Sequence, residues 1–72
     1  MKDTPQLISI IIPVFNESES IGYLLEEVLN VMHNNNLNFQ LIVVNDGSLD
    51  NTSNILDELS IKIKELSVIS LR

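Results

Sequence analysis

The chain has 72 residues, ten acidic against four basic side chains, a net charge of -6, and no cysteine. A domain of this size buries only about 60% of its unfolded surface, so its core is small. The acidic balance, without a basic stripe, disfavours nucleic-acid binding, and the lack of cysteine excludes a disulfide framework or thiolate metal site. Ile8 to Ile12 is far shorter than the ~20 residues of a membrane helix. Because Asp3 precedes no small-residue cleavage site, we expect a soluble, cytoplasmic segment rather than a secreted one.

The first predicted element is a strand from Leu7 to Pro13. Its isoleucines are nearly continuous rather than alternating, which is typical of a parallel strand covered on both faces. Asn16 followed by Glu19 then predicts a capped helix start.

The predicted first helix runs from Ser18 to Asn35, and its asparagine-rich end suits the left-handed geometry of a helix terminus. At 1.5 Å per residue it spans ~27 Å, enough to return the chain to the start of a parallel strand. Its apolar residues recur at spacings of three and four, which predicts one buried stripe. The stripe comprises Ile21, Leu24, Leu25, Val28, Val31 and Met32.

A second strand is predicted at Phe39 to Asn45, a loop at Asp46 to Asn51, and a third strand at Ser67 to Leu71. The helix between them is expected to bury Ile55, Leu56, Leu59, Ile63 and Leu66. The order β-α-β-α-β predicts an α/β, Rossmann-like half sheet of parallel strands in a three-layer arrangement. In a doubly wound sheet the first strand pairs with the second strand on one side and with a fourth strand on the other. These residues predict no fourth strand, which leaves one edge of the first strand unpaired. We therefore predict the front part of a larger domain.

Acidic and aromatic side chains follow the first two predicted strands. Since both strands end at the same sheet edge, Phe15, Glu17 and Asp46 are expected to converge there. An aromatic ring beside carboxylates can stack on a base and accept hydrogen bonds from its N–H groups and from ribose hydroxyls. With only Gly22 and Gly47 in the chain, neither glycine-rich phosphate-binding motif is present. A diphosphate would then be bound through a divalent cation held by carboxylates that these residues do not include.

The two loop motifs, IIPVFNE and LIVVNDGSLDNT, resemble the opening of family 2 glycosyltransferases. These are inverting enzymes with a Rossmann-like GT-A fold, and the layout is most similar to the branch that transfers a sugar from a nucleotide donor to a polyprenyl or dolichyl phosphate. The resemblance covers Leu7 to Leu71. It implies that residues 1–72 are the incomplete N-terminal, nucleotide-sugar-binding part of a transferase domain, a fragment that is inactive alone.

Four positions match family positions that bind the donor nucleotide. Pro13 and Phe15 match residues lining the base, with Phe15 where a tyrosine is common. Glu17 matches an acidic position near the base and ribose. Asp46 matches the aspartate that accepts a hydrogen bond from the base. Asn45 replaces the first acid of a frequent Asp-Asp pair.

The resemblance also implies partners that these residues do not bind alone. A divalent metal, Mg or Mn, and the catalytic base are expected on later parts of the domain, so we assign no catalytic residue or metal ligand here. The expected partners are a nucleotide-diphosphate sugar and a lipid-phosphate acceptor, with membrane contact only through other regions. The expected location is the cytoplasm, at the cytoplasmic face of a membrane, in cell-envelope glycan synthesis.

Simpler interpretations of the same residues remain open. Asp46 with Gly47 is also a hairpin signal, Glu17 could be a first-turn carboxylate favoured by the helix dipole, and Phe15 could pack in the core. Asn16 is expected mainly as a helix cap, and Asp50 as a cap or a solvated loop acid, with Ser48 as the other candidate cap of the second helix. The alternative function is a flavodoxin-like binding or regulatory module whose rim carboxylates hold a metal or a phosphate, without sugar transfer.

Overall fold

Three strands and two helices alternate along the chain in the computed structural model, which describes residues 6–71. The strands are β1 (Ile8–Val14), β2 (Phe39–Asp46) and β3 (Leu66–Leu71). The helices are α1 (Ile21–Asn34) and α2 (Thr52–Lys62). The predicted β-α-β-α-β order is therefore confirmed.

The strands form one parallel sheet in the order β1-β2-β3. In the register, Ile10 lies opposite Leu41, and Leu41 lies opposite Leu66. The predicted α/β half sheet of parallel strands is confirmed, and β1 is an edge strand within the described part of the chain.

The core lies between the sheet and both helices. Leu41 and Val43 of β2 are fully buried, as are Ile21 of α1 and Leu56 of α2. Alternate residues of all three strands pack in this same cluster with residues of both helices. Both helices therefore cover one face of the sheet, as two right-handed crossovers made in the same direction require.

The opposite face of the sheet is left open by the described residues. Ile11 of β1 is 64% exposed and Ile69 of β3 is 49% exposed. The three-layer expectation was therefore wrong for residues 6–71, which form two layers. The apolar runs nevertheless have the composition of strands covered on both faces.

Helix α1 begins three residues later than predicted. Its N-cap is Ser20, without a side-chain cap hydrogen bond, and no acidic residue lies in its first turn. Asn16 instead has a φ of 53°, so the predicted Asn16–Glu19 capping box was wrong. The C-terminal end was predicted well, because Asn36 has the left-handed φ of 54° expected of a helix terminus.

The buried faces of the helices differ in detail from the predicted stripes. In α1, Leu24 and Val31 are exposed, whereas Leu29 packs against the core. Leu66 was assigned to the second helix but is the first residue of β3, where it is buried and pairs with Leu41. Burial alone does not distinguish the last turn of a helix from the start of the next strand.

No helix within residues 6–71 is long and apolar enough to cross a membrane.

Candidate functional site

The carboxyl ends of β1 and β2 lie side by side. The last register pair of these strands is Val14 with Asn45, and the residues that follow them are Phe15 and Asp46. Because the pairing is parallel, both residues emerge at the same edge of the sheet. The predicted convergence of these two positions thus agrees with the observed register.

The aromatic residue at this edge is available for contact. Phe15 is 52% exposed and lies outside the core cluster, so the interpretation of Phe15 as a core residue is wrong. Pro13, two residues earlier, pairs with Val44 and is exposed on the open face. An exposed ring beside an exposed proline provides a flat apolar surface of the kind that a planar ligand stacks on.

Asp46 is the last residue of β2. It is exposed and lies opposite Leu71 of β3. The chain then turns through Gly47, whose φ is 70°, and continues into α2 and a parallel strand. The hairpin interpretation of Asp46-Gly47 is therefore wrong, and Asp46 lies at the carboxyl end of β2.

Glu17 lies in the loop between β1 and α1, four residues before the helix. Since the helix begins at Ile21, Glu17 is not a first-turn carboxylate. Its Oε1 accepts a hydrogen bond from the Ser20 hydroxyl at 3.0 Å. It lines a depression of about 320 Å³ with Asn16, Ser18, Glu19, Ser20 and Asp50. Phe15 and Asp46 do not line this depression.

Five hydrogen bonds join the loop after β1 to the loop after β2, between residues 16–18 and 48–52; we call this set the loop clasp. The side-chain Oδ1 of Asn16 accepts from the amides of Leu49 at 2.7 Å and Asp50 at 3.3 Å. The Asn16 amide donates to the Ser48 hydroxyl at 3.0 Å. Asn16 therefore connects the two loops instead of capping α1.

The other bonds of the loop clasp centre on Thr52 and Asp50. The Glu17 amide donates to Thr52 Oγ1 at 2.9 Å, and the Ser18 amide donates to Asp50 Oδ2 at 3.2 Å. Asp50 Oδ1 also accepts from the amide and the hydroxyl of Thr52, the first residue of α2. The N-cap of α2 is Asn51, so the prediction of Asp50 as the cap was wrong. Asp50 lies one residue earlier, where its carboxylate accepts from Thr52 and also holds the first loop through Ser18.

This hydrogen bonding sets the charge state of Asp50. The Thr52 hydroxyl makes the largest contribution, followed by the Thr52 amide and Ser18, and together they lower the pKa of Asp50 from 3.8 to about 2. Hydrogen bonds to a carboxylate favour its charged form. Asp50 is therefore ionised at neutral pH with both of its oxygens already engaged.

The buried side chain of Asn45 forms hydrogen bonds near both ends of the second loop. It is 2% exposed, its Nδ2 donates to Ser53 Oγ at 2.7 Å, and its Oδ1 accepts from the Ser48 amide at 3.2 Å. An amide supplies both the donor and the acceptor that this buried position uses, whereas an ionised aspartate could only accept. The replacement of an expected acid by Asn45 is consistent with this structural role.

No group of three or more His, Asp or Glu side chains within residues 6–71 is arranged to hold a metal ion. Asp46 and Asp50 are the carboxylates of the second loop, but the oxygens of Asp50 already accept hydrogen bonds from Ser18 and Thr52. The described residues therefore do not fit a complete divalent-metal site.

Comparison with known proteins identifies the family. The sequence profile described as glycosyl transferase family 2 matches residues 9–72. The chain belongs to this family. Its predicted resemblance is thereby confirmed, and membership favours a transferase over the flavodoxin-like module.

The curated relatives of this family 2 chain include enzymes named for lipid-phosphate acceptors. It is 38% identical over 64 residues to an undecaprenyl-phosphate 4-deoxy-4-formamido-L-arabinose transferase of Proteus mirabilis, covering 89% of this chain and 19% of the relative. It is 36% identical over 62 residues to a dolichyl-phosphate beta-glucosyltransferase of Trichomonas vaginalis, covering 78% of this chain and 19% of the relative. The chain thus spans about a fifth of the length of these relatives.

Sequence reasoning took Ser48 only as a possible cap of the second helix, whose N-cap is Asn51, and missed Thr52. The hydroxyls of both residues accept hydrogen bonds from the first loop. Both lie inside the motif LIVVNDGSLDNT. That motif was the signal that could have identified them.

Proposed function

We propose that this chain is the donor-binding part of a sugar transferase, and that Phe15 and Asp46 bind the base of a nucleotide-diphosphate sugar. The observation that supports the proposal is the parallel register of β1 and β2, whose last pair, Val14 with Asn45, immediately precedes Phe15 and Asp46 in the two chain segments. An exposed aromatic ring supplies a stacking surface, and a carboxylate beside it supplies an acceptor for a base N–H. Membership of a glycosyl transferase family supports a nucleotide sugar as the proposed ligand.

Pro13 and Glu17 have supporting roles in this proposal. Pro13 is exposed two residues before Phe15, where it would add to the apolar surface available to the base. Glu17 lines the depression between the loops, where its carboxylate could accept a hydrogen bond from a ribose hydroxyl. Phe15 lacks the hydroxyl of a tyrosine, so stacking rather than hydrogen bonding is its contribution.

The acceptor in this proposal is a polyprenyl or dolichyl phosphate. The names of the two relatives described above support this acceptor, since each name specifies a lipid phosphate. Transfer to such an acceptor would place the enzyme at the cytoplasmic face of a membrane, with the membrane contacts outside residues 6–71.

We also propose that residues 1–72 form the front of a longer domain that carries the catalytic base and the ligands of a divalent metal, Mg or Mn. Two observations support this division. The chain spans about a fifth of its relatives. The open face of the sheet is also strongly apolar, with Ile11 and Ile69 exposed, and such a face is usually covered in a complete parallel sheet. When bound, the metal would neutralise the departing diphosphate.

The test is nucleotide binding by the full-length protein with Asp46→Ala. Losing a charged acceptor should weaken the affinity for uridine or guanosine diphosphate by ~1–3 kcal/mol, roughly 5- to 150-fold. Asp57→Ala is the matched control, because Asp57 is an exposed aspartate on α2. Calorimetry should show weakened binding for Asp46→Ala alone. Equal affinities for the wild type and Asp46→Ala, with the fold intact, would reject this role.

A further inference from the structure

The loop clasp connects the two chain segments that carry the proposed base-binding residues. Phe15 immediately precedes Asn16, and Asp46 lies two residues before Ser48. All five bonds cross between the loops and involve backbone amides of residues 16–18 or 49–50. Each loop is thus held by the other rather than only by its own strand.

Asn16 is unusually suited to its position. With a φ of 53°, it lies in the left-handed region, where asparagine is tolerated better than most residues with a side chain. Its Oδ1 reaches both Leu49 and Asp50. Glycine could adopt this backbone but would offer no acceptor, so backbone geometry and side-chain chemistry can be tested separately.

Thr52 connects the loop clasp to the protein core. It is fully buried, so its hydroxyl cannot exchange the Glu17 amide for water without a conformational change. Serine would keep this acceptor, and valine would keep the shape while removing it. Valine also removes the hydrogen bond that the Thr52 hydroxyl donates to Asp50, so the two substitutions together test the hydroxyl and both of its hydrogen bonds, without changing the formal charge of residue 52.

We propose that Asn16 and Thr52 are positioning residues that fix the spacing of Phe15 and Asp46 before a nucleotide binds. This inference rests on the proposed function. Holding the two loops in the bound arrangement removes an ordering cost that would otherwise be subtracted from the binding free energy. Neither residue needs to touch the ligand to have this effect.

The experiment measures the affinity of the full-length protein for uridine and guanosine diphosphate in four variants, by calorimetry. Asn16→Gly and Thr52→Val should each weaken binding about tenfold, as expected from losing one or two hydrogen bonds. Thr52→Ser should retain wild-type affinity. Asn54→Gly is the control for the glycine substitution, because Asn54 is an exposed asparagine of α2 outside the loop clasp, and it should also bind normally.

Hydrogen exchange in the unliganded variants supplies the second readout. The amides of Leu49 and Asp50 should exchange faster in Asn16→Gly, and the Glu17 amide should exchange faster in Thr52→Val. If Asn16→Gly does not fold, the comparison of Thr52→Ser with Thr52→Val alone tests the proposal.

Two results would overturn the proposal. One is wild-type affinity in folded Asn16→Gly and Thr52→Val despite faster exchange, and the other is a Thr52→Ser protein as weak as Thr52→Val. Failure of the proposed function looks different, because the wild type would then bind neither nucleotide, or Asp46→Ala would bind as tightly as the wild type.

Discussion

Replacing Phe15 by alanine separates a binding role from a packing role. Phe15 is 52% exposed and outside the core, so its removal forfeits about half of the burial free energy of a phenylalanine. With ~1.5–3 kcal/mol for a fully buried side chain, the expected loss of stability is roughly 1 kcal/mol. The loss of base stacking should be comparable or larger, ~1–3 kcal/mol, which weakens nucleotide binding roughly 5- to 150-fold.

The assay is calorimetric titration of the full-length protein with a nucleoside diphosphate, beside thermal unfolding of each variant. Phe15→Tyr keeps the ring and should bind at least as tightly as the wild type. Tyr23→Ala is the matched control, because Tyr23 is a 73% exposed aromatic residue on α1. A folded Phe15→Ala protein with wild-type affinity, or an equal loss in Tyr23→Ala, would refute the stacking role.

The remaining predictions concern the loop clasp and the exposed sheet. The pKa of Asp50 is lowered in the folded state from 3.8 to about 2. The ionised Asp50 carboxylate therefore stabilises the fold fully at pH values above 3.8, and this stabilisation is lost as the pH falls toward 2. The difference in unfolding temperature between the wild type and Asp50→Asn should therefore shrink over this range, and a constant difference would contradict it. The isolated 72-residue chain should self-associate through β1, and Ile11→Lys should raise its monomer fraction in sedimentation more than Ile61→Lys, whose site is on α2. A wild-type chain that is monomeric and melts cooperatively would contradict this expectation.

The sequence predicted the sheet well because its strands are short, apolar and bounded by turn residues. The start of β2 at Phe39 was predicted correctly, and the end of β3 at Leu71 was also correct. The left-handed Asn36 was foreseen because asparagine tolerates that backbone. These features depend on local chemistry, which a single sequence displays directly.

The errors arose where distant contacts override local preferences. Asn16 and Glu19 form a plausible capping box, but Asn16 bonds instead to Leu49 and Asp50 in another loop. A side chain that can serve a local cap can equally serve a neighbouring loop, and only the folded arrangement decides. The same holds for Ser48 and Thr52: the motif LIVVNDGSLDNT marks the segment that contains them, but not which of its polar side chains contact the loop after β1.

The layer count was missed for a different reason. The continuous isoleucines of β1 predict burial on both faces, whereas Ile11 is exposed in residues 6–71. Composition reports the environment for which a strand is suited, and neighbouring elements determine how much of that environment is present.

The most direct test of base binding is a crystal structure of the full-length protein with uridine or guanosine diphosphate. We predict that the base lies against the Phe15 ring and that a base N–H donates to the Asp46 carboxylate at about 3 Å. At the opposite edge of the sheet, His33 Nε2 lies 3.1 Å from Glu65 Oε2. A base bound beside that pair would contradict the proposed site.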